Sequence, residues 1–461
     1  MNVERFEVPG LAQYSYIVSS DGKAAVIDPI RDIDRYTRYA DGHSLTITHI
    51  LETHIHADFA AGSQALALAT GAQLALSAHD VGENYRYRMP HHPLKGGDVI
   101  EVGKVTLQAL HTPGHTPEHL SFTLYDTERN TTHPLALFSG DFLFVGSMGR
   151  PDLLGEAAKH SLATELFRSA HERIKGLPDG VELYPGHGAG SLCGAGMSER
   201  AESTLGYERV TNSFFRLDEE SFVQAILQSV PAMPDYYPRM KALNSDGAPA
   251  LLLSHGDHAL SVVEVDSLSK RRDVMLLDLR GHEAFGAAHI PGSINIGDGS
   301  NLSLWAGWLI DPALRLILIG ENGDEEQARR SLMRVGLDRI EGHLAKGFAT
   351  WVDAGLELSH IPQLSTDEVA AVKDDDVVLD VRSATEWQSG HIAGARHIML
   401  GDLSRHLEEL PRERTVITVC GSGYRASIAA SLLAQRGFSK VSLMDGGMTA
   451  WLNRKLAVSI E

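Results

Sequence analysis

The sequence predicts an α/β protein in three segments: a layered sandwich over residues 1–247, then two small parallel-sheet domains over 258–358 and 362–461. Three observations carry this. The opening alternates apolar runs with helical patterns, and the remainder repeats itself at a spacing of 102 residues. The length, 461 residues, suits three domains on a prior of about 150 residues each.

The runs SYIVSS, KAAVIDP and ITHILETHIH read as strands, and GSQALALAT and HSLATELFRSAHERIKGL as helices, because their apolar residues recur at steps of three and four. SFVQAILQSV follows the acidic Asp218–Glu220, a favourable helix start. PAMPDYYP, with its three prolines, is expected to lead out of the segment. Beyond it, DLRGHEAFGAAHIPGSINI from Asp278 returns as DVRSATEWQSGHIAGARHI from Asp380, and GFATW returns as GGMTAW. Each copy has an apolar strand (MLLDL, VVLDV), a His-Ile-x-Gly turn, a second strand (RLILIG, TVITVC) and a helix. That alternation implies a parallel sheet covered on both faces, and two copies imply tandem domains rather than a solenoid.

Composition narrows the function. A formal net charge of −19 disfavours nonspecific nucleic-acid binding. No run of about 18 apolar residues suggests a membrane span, and Met1–Gly10 does not read as a secretory signal. Cys193 and Cys420, each in a Gly-rich loop, are no disulfide framework, so a reducing cytoplasm is the expected setting.

Thr53–Gly62 reads THIHADFAAG. His54 and His56 follow the strand ITHILET, His115 follows TLQAL in HTPGHT, Asp141 follows LALF in FSGD, and YPGHGAG adds His187. Ligands delivered from several strand ends onto one sheet edge make a rigid, open metal site. His79, His91, His92, His119 and His133 lack such a context and read as hydrogen-bonded core or loop residues. Over roughly residues 1–240 the chain resembles the metallo-β-lactamase superfamily, whose pattern His-x-His-x-Asp-His departs here at Phe59. The resemblance implies an αββα sandwich and a primary site at His54, His56, His115 and Asp141. The secondary site would use Asp58, position 59, His187 and a bridging Asp141. Phe59 has no lone pair to donate, so a one-metal site is expected, with Asp58 orienting a ligating His from behind. Ligand type alone does not separate iron from zinc. Persulfide dioxygenases of this superfamily use the triad that here is His54, His115 and Asp141, on one Fe(2+) per chain, with His56 near the metal but not a firm ligand. His187 is left as either a vestigial ligand or a donor near the pocket.

Arg150, in GSMGRPD, is placed near the mouth, where its guanidinium either binds a carboxylate of a thiol tripeptide such as glutathione or pairs with Asp152. Cys193, six residues beyond His187, is either a persulfide carrier or a thiol packed against its loop.

The second repeat carries VCGSGYRAS. Cys420 ends a strand, and the turn Gly421, Ser422, Gly423, Tyr424 leads into a helix, so successive N–H groups form an anion nest that favours a nucleophilic thiolate. Arg425 is expected to neutralise an entering sulfur anion. These residues resemble the active loop of rhodanese sulfurtransferases, over about Ser365–Lys455, and Asp380, Arg382, Glu386, His391 and Trp451 fit that family's pattern as well. Four residues between Cys420 and Arg425 suit one sulfur atom; the related phosphatases carry one more. In the first repeat Gly320 stands opposite Cys420, and Asp324, Glu325 and Glu326 bring the wrong charge. This copy is expected to be inactive, a spacer or docking domain.

The whole chain resembles the fusions of a persulfide dioxygenase with an inactive and an active rhodanese domain. That resemblance implies oxidation of a low-molecular-weight persulfide (glutathione or coenzyme A persulfide) by O2 to sulfite, and sulfur transfer by Cys420 to sulfite, giving thiosulfate in sulfide detoxification. It also implies a homo-oligomer. Two rivals stand beside it: a zinc thioester hydrolase of the glyoxalase II kind carrying a separate rhodanese unit, and a noncatalytic sulfur carrier with a structural metal. Phe59 argues against the first, because such hydrolysis uses two metals; open ligand positions argue against the second.

Overall fold

The computed structural model describes residues 1–79, 86–250, 257–322, 325–372 and 376–460. Asp324, one of the carboxylates expected to oppose sulfur chemistry in the first repeat, lies outside them. The chain packs as two compact units, Met1–Leu251 with Met333–Gly336, and Leu252–Leu332 with Leu337–Glu461.

In the first unit two six-stranded sheets lie face to face. One runs in the order Asn2–Val8, Gln13–Ser20, Lys23–Ile27, Thr46–Leu51, Gln73–Ser77, His92–Leu94. Its first three strands are antiparallel neighbours and the later ones pair in parallel. The other runs Ser203–Thr204, Glu182–Pro185, Ala136–Gly140, Leu120–Asp126, Val105–His111, Val99–Val102. Tyr16, Val18 and Ile27 from one sheet meet Leu107, Phe122 and Phe138 from the other in a single buried core. The outer side of the second sheet, through Leu137 and Leu183, is covered by Glu156–Arg168 and Glu219–Ser229, which bury Ala163, Leu166, Phe222 and Ile226. Asp34–Gly42 and Ser63–Thr70 pack on the first sheet. The result is the αββα sandwich.

PAMPDYYP does not lead out of this unit. Its final YYP opens a helix, Tyr237–Asp246, with Pro in the first turn, where a missing N–H costs nothing. Tyr237, Met240 and Asn244 on that helix are buried.

The second unit holds both repeats, each a five-stranded parallel sheet of the same order. These are Ala259–Leu260, Ile340–Leu344, Arg315–Ile319, Val274–Asp278, Ile294–Asn295, and Gln363–Leu364, Val441–Met444, Val416–Val419, Val377–Asp380, Arg396–His397. The repeat reaches single hydrogen bonds. Arg280 and Arg382 each pair with the Asp two residues earlier, and Trp351 and Trp451 each donate to a carbonyl six residues on.

Candidate metal centre and sulfur loop

His54, His115 and Asp141 are delivered to one edge of the sandwich by the turns after Thr46–Leu51, Val105–His111 and Ala136–Gly140. Each offers a ligand atom within 4.8 Å of the others. His115 Nε2 lies 3.5 Å and His54 Nε2 3.8 Å from Asp141 Oδ2. All three atoms are buried without a hydrogen-bond partner. Buried polar atoms left bare cost free energy, so three of them turned toward one point fit a cation between them. Two imidazoles and a carboxylate are donors for iron or zinc.

The surroundings set each ligand's proton. Thr53 Oγ1 gives its hydrogen to Asp28 Oδ2 at 2.9 Å, so it accepts from His54 Nδ1, also at 2.9 Å. The Arg150 carbonyl accepts from His115 Nδ1 at 2.8 Å. Both rings therefore keep the Nε2 lone pair free for metal. Burial, and then the neighbouring histidines, push His54 and His115 well below the usual range, which leaves them neutral. Asp141 Oδ1 is bonded to His187 Nδ1 at 2.7 Å, and His187 Nε2 to Asp58 Oδ2 at 2.8 Å. Burial opposes the charge on His187, but Asp141 and Asp58 on either side raise it well above the ordinary range.

At position 59, where the family pattern has a further His, the chain offers no ligand atom. Phe59 is fully buried, with its ring centroid 4.4 Å from that of His56. His56 turns its Nε2 to Asp28 Oδ1 at 3.1 Å, and despite burial the carboxylates around it raise it to about 8. Asp58, His187 and Cys193 also cluster within 4.8 Å, and both nitrogens of His187 lie against carboxylates, at 2.7 and 2.8 Å. Asn244 holds the loop in this shape: its Nδ2 donates to the carbonyls of His56 and Phe59 at 2.8 and 2.7 Å, and its Oδ1 accepts from Ala61 at 2.8 Å.

In the second unit Cys420 follows strand Val416–Val419 and is buried, with the Gly423 N–H pointing at Sγ over 3.1 Å. Helix Tyr424–Gln435 starts at once, so its free N–H groups face the same loop. Arg425 forms two 2.7 Å hydrogen bonds to Glu386, which burial would raise but Arg425 and Ser383 hold down at about 2. In the first repeat a Cβ at Gly320 would stand 2.2 Å from Glu325 Oε1. A carboxylate thus fills the place of the nucleophile's side chain.

Residues 8–187 match the metallo-β-lactamase superfamily, and 261–354 and 365–454 each match the rhodanese-like domain. A hydroxyacylglutathione hydrolase of Polaromonas sp. is 31% identical over 247 residues, covering 48% of this chain and 88% of that protein. The chain belongs to the metallo-β-lactamase superfamily. Two tandem rhodanese-like domains follow that fold. The mitochondrial persulfide dioxygenase ETHE1 of Bos taurus is 29% identical, covering 47% of this chain and 77% of that protein. A solved metallo-β-lactamase structure from Staphylococcus aureus covers 75% of this chain and 99% of its own, at 37% identity and a TM-score of 0.68. Among the described residues no helix is long and apolar enough to cross a membrane.

Several expected site residues stand elsewhere than the sequence suggested. Arg150 of the metallo-β-lactamase domain is 1% exposed, not at a mouth, and its guanidinium donates to both Asp152 oxygens and to the carbonyls of Leu192 and Pro231. It ties loops together beneath His115 and is not free to hold a substrate carboxylate. We expect Arg150→Ala to lower stability by about 3 kcal/mol, as removing one partner of a buried pair does; chemical denaturation would measure it, and a variant of parental stability with a raised substrate KM would contradict this. Asp58 orients His187 rather than a primary ligand. In the second rhodanese-like domain the charge of Arg425 is already balanced by Glu386, and Tyr424 turns its hydroxyl to the Gly297 carbonyl at 3.1 Å. Cys193 does lie beside the metal pocket, but burial, and then Asp58 and Asp141, push its thiol well above the ordinary range.

Asp28, Thr53 and Asn244 were missed. Asp28 was within reach, since KAAVIDP ends a buried strand beside THIH. Asn244, just after PAMPDYYP, had no signal in the sequence. His119, read as a core residue, accepts the Asp141 N–H at 3.1 Å and stacks on His54.

Proposed function

We propose that the chain is a non-haem iron persulfide dioxygenase coupled to a thiosulfate-forming sulfurtransferase. One observation carries the first half: the three bare donor atoms of His54, His115 and Asp141 make a single seat, while Phe59 and the committed nitrogens of His187 remove a second. Thioester hydrolysis of the glyoxalase II kind, the activity named for the Polaromonas relative, leans on two metals to generate and hold hydroxide. The ETHE1 relative bears the name of the proposed reaction. An Fe(2+) held by His54, His115 and Asp141 would supply the redox chemistry that dioxygen requires. The chain's own part is to keep both imidazoles neutral through Thr53 and the Arg150 carbonyl, to fix Asp141 through His187 and Asp58, and to exclude water with Phe59.

The substrate is a low-molecular-weight persulfide such as that of glutathione or coenzyme A. With one O2 and one water it gives the thiol, sulfite and protons: the outer sulfur loses four electrons and dioxygen gains four. In the rhodanese domain Cys420 takes the outer sulfur of a second persulfide and releases its thiol. Sulfite then attacks that sulfur, so the Cys420 S–S bond breaks, a new S–S bond forms in thiosulfate, and the thiolate returns. The Gly423 N–H stands ready for that thiolate.

An oxygen electrode decides the reading. Ferrous-loaded protein should consume O2 with glutathione persulfide and release sulfite. Iron-loaded protein without uptake on either persulfide, together with hydrolysis of a glutathione thioester by the zinc form, would replace it with the hydrolase. Cys193 tests separately. As a carrier between the two chemistries it requires that Cys193→Ser keep oxygen uptake and lose thiosulfate yield; an unchanged yield assigns the thiol to packing.

A further inference from the structure

The first rhodanese-like domain lacks a nucleophile, yet within the second unit it forms a wall of the sulfur site. Asn295 binds Ser427 Oγ at 2.6 Å through Oδ1 and Ser431 Oγ at 3.1 Å through its N–H, both hydroxyls on the helix that begins at the Cys420 loop. Gln435 Nε2 reaches the Gly292 carbonyl at 3.1 Å, and Tyr424 the Gly297 carbonyl at 3.1 Å. These four contacts clamp segment 292–297 along one helix. They leave His282 of the same domain at the mouth of the loop.

A Cβ at Gly423 would stand 2.5 Å from His282 Nε2 and 2.8 Å from its Cδ2. Gly423 is the residue whose N–H lies 3.1 Å from Cys420 Sγ. The imidazole edge therefore occupies the space that a side chain at Gly423 would fill, with the loop nitrogen next to it directed at the thiol. The His282 side chain is 19% exposed, so it is part wall and part solvent face. Glu283 Oε1 stands 3.6 Å from the same nitrogen, beyond hydrogen-bond distance.

The charges of the site give this donor a task. Sulfite is a dianion, and it must approach a persulfide that is itself anionic. Arg425, whose guanidinium lies beside the loop at Gly421, is already paired with Glu386. The Gly423 N–H serves the sulfur of Cys420.

We propose that His282, supplied by the catalytically silent repeat, is a positioning residue of the sulfur-transfer site, whose Nε2–H receives an oxygen of the incoming sulfoxyanion acceptor. This rests on the sulfur-transfer reading above. The silent repeat is then an acceptor-binding half of a two-domain site, and its position 282 is used for something the active copy, with Ala384 at that place in the repeat, cannot supply for itself.

The test uses the full chain, with His282→Ala and His282→Gln, the latter keeping an N–H donor of similar reach. Thiosulfate formation is followed against sulfite and against glutathione persulfide. Protection of Cys420 from iodoacetamide by sulfite is measured independently of turnover. In His282→Ala the KM for sulfite should rise about tenfold, the loss expected for one hydrogen bond to an anion. The KM for persulfide and the oxygen uptake of the metal domain should hold, and sulfite protection should weaken by a similar factor. His282→Gln should recover most of it. An unchanged sulfite KM and unchanged protection in His282→Ala would overturn the assignment, as would equal loss in both variants with both KM values moving, the pattern of simple packing. If the parent forms no thiosulfate, the sulfur-transfer reading falls. Protection of Cys420 by sulfite that depends on His282 would then still establish the anion contact, and its absence would reject it.

Discussion

His115→Ala should lose its iron and, with it, oxygen uptake on glutathione persulfide, by more than about 100-fold, since even groups that only support a ligand are worth 10- to 100-fold. The geometry behind this is specific. His115 Nε2 and Asp141 Oδ2 face each other at 3.5 Å with no other partner, so removing the ring leaves His54 and one carboxylate, too few donors to hold a ferrous ion in an open site. Metal analysis of the purified protein should read about one iron per chain for the parent and near none for the variant. Thr53→Val is the graded companion. It deletes the hydroxyl that accepts from His54 Nδ1, frees that ring to change tautomer, and should cost about tenfold in metal affinity without emptying the site. A His115→Ala protein that keeps its iron would sink the assignment of the triad.

Cys420→Ser should separate the two chemistries. Thiosulfate formation should fall on the order of 1,000-fold or more, because a serine hydroxyl at neutral pH neither attacks a persulfide nor carries its sulfur. Oxygen uptake should continue at the parental rate, so sulfite accumulates where the parent makes thiosulfate. Sulfite and thiosulfate measured together in one reaction would show the exchange. Undiminished thiosulfate in this variant would place the transfer elsewhere, with Cys193 the remaining thiol. Cys420 is well suited to the test: it lies at the end of a parallel strand with the Gly423 N–H on its sulfur, and a hydroxyl of smaller radius fits the same turn without disturbing the fold.

The metal ligands and the sulfur loop were legible in the sequence because both are local. Each ligand follows its own strand by a few residues, and Cys420 and Arg425 share one short turn. The 102-residue repeat likewise announced two domains of one topology, and the structure returns it down to matching Arg–Asp pairs. The surroundings of the second position were only half visible. Phe59 showed that one ligand was missing, but the engagement of His187 between Asp58 and Asp141 joins residues 129 and 46 positions apart and has no signature in the chain.

What the sequence determined by itself is therefore which groups each segment carries: donors in fixed spacing after strands, a thiol in a Gly-rich turn, and a repeat with Gly320 where the other copy has Cys420. What the tertiary structure alone decided is how those groups are used. Of the two readings of Arg150 the buried Asp152 pair is the one found, Arg425 is balanced by Glu386, and PAMPDYYP, expected to lead out, runs into the helix whose Asn244 holds the metal loop. The first repeat stands against the Cys420 loop through His282, and against the helix that follows it through Asn295. The reason is physical: ligand type and turn geometry are encoded within a few residues. The partner of a charge and the face on which a side chain is buried depend on long-range packing, which periodicity does not record.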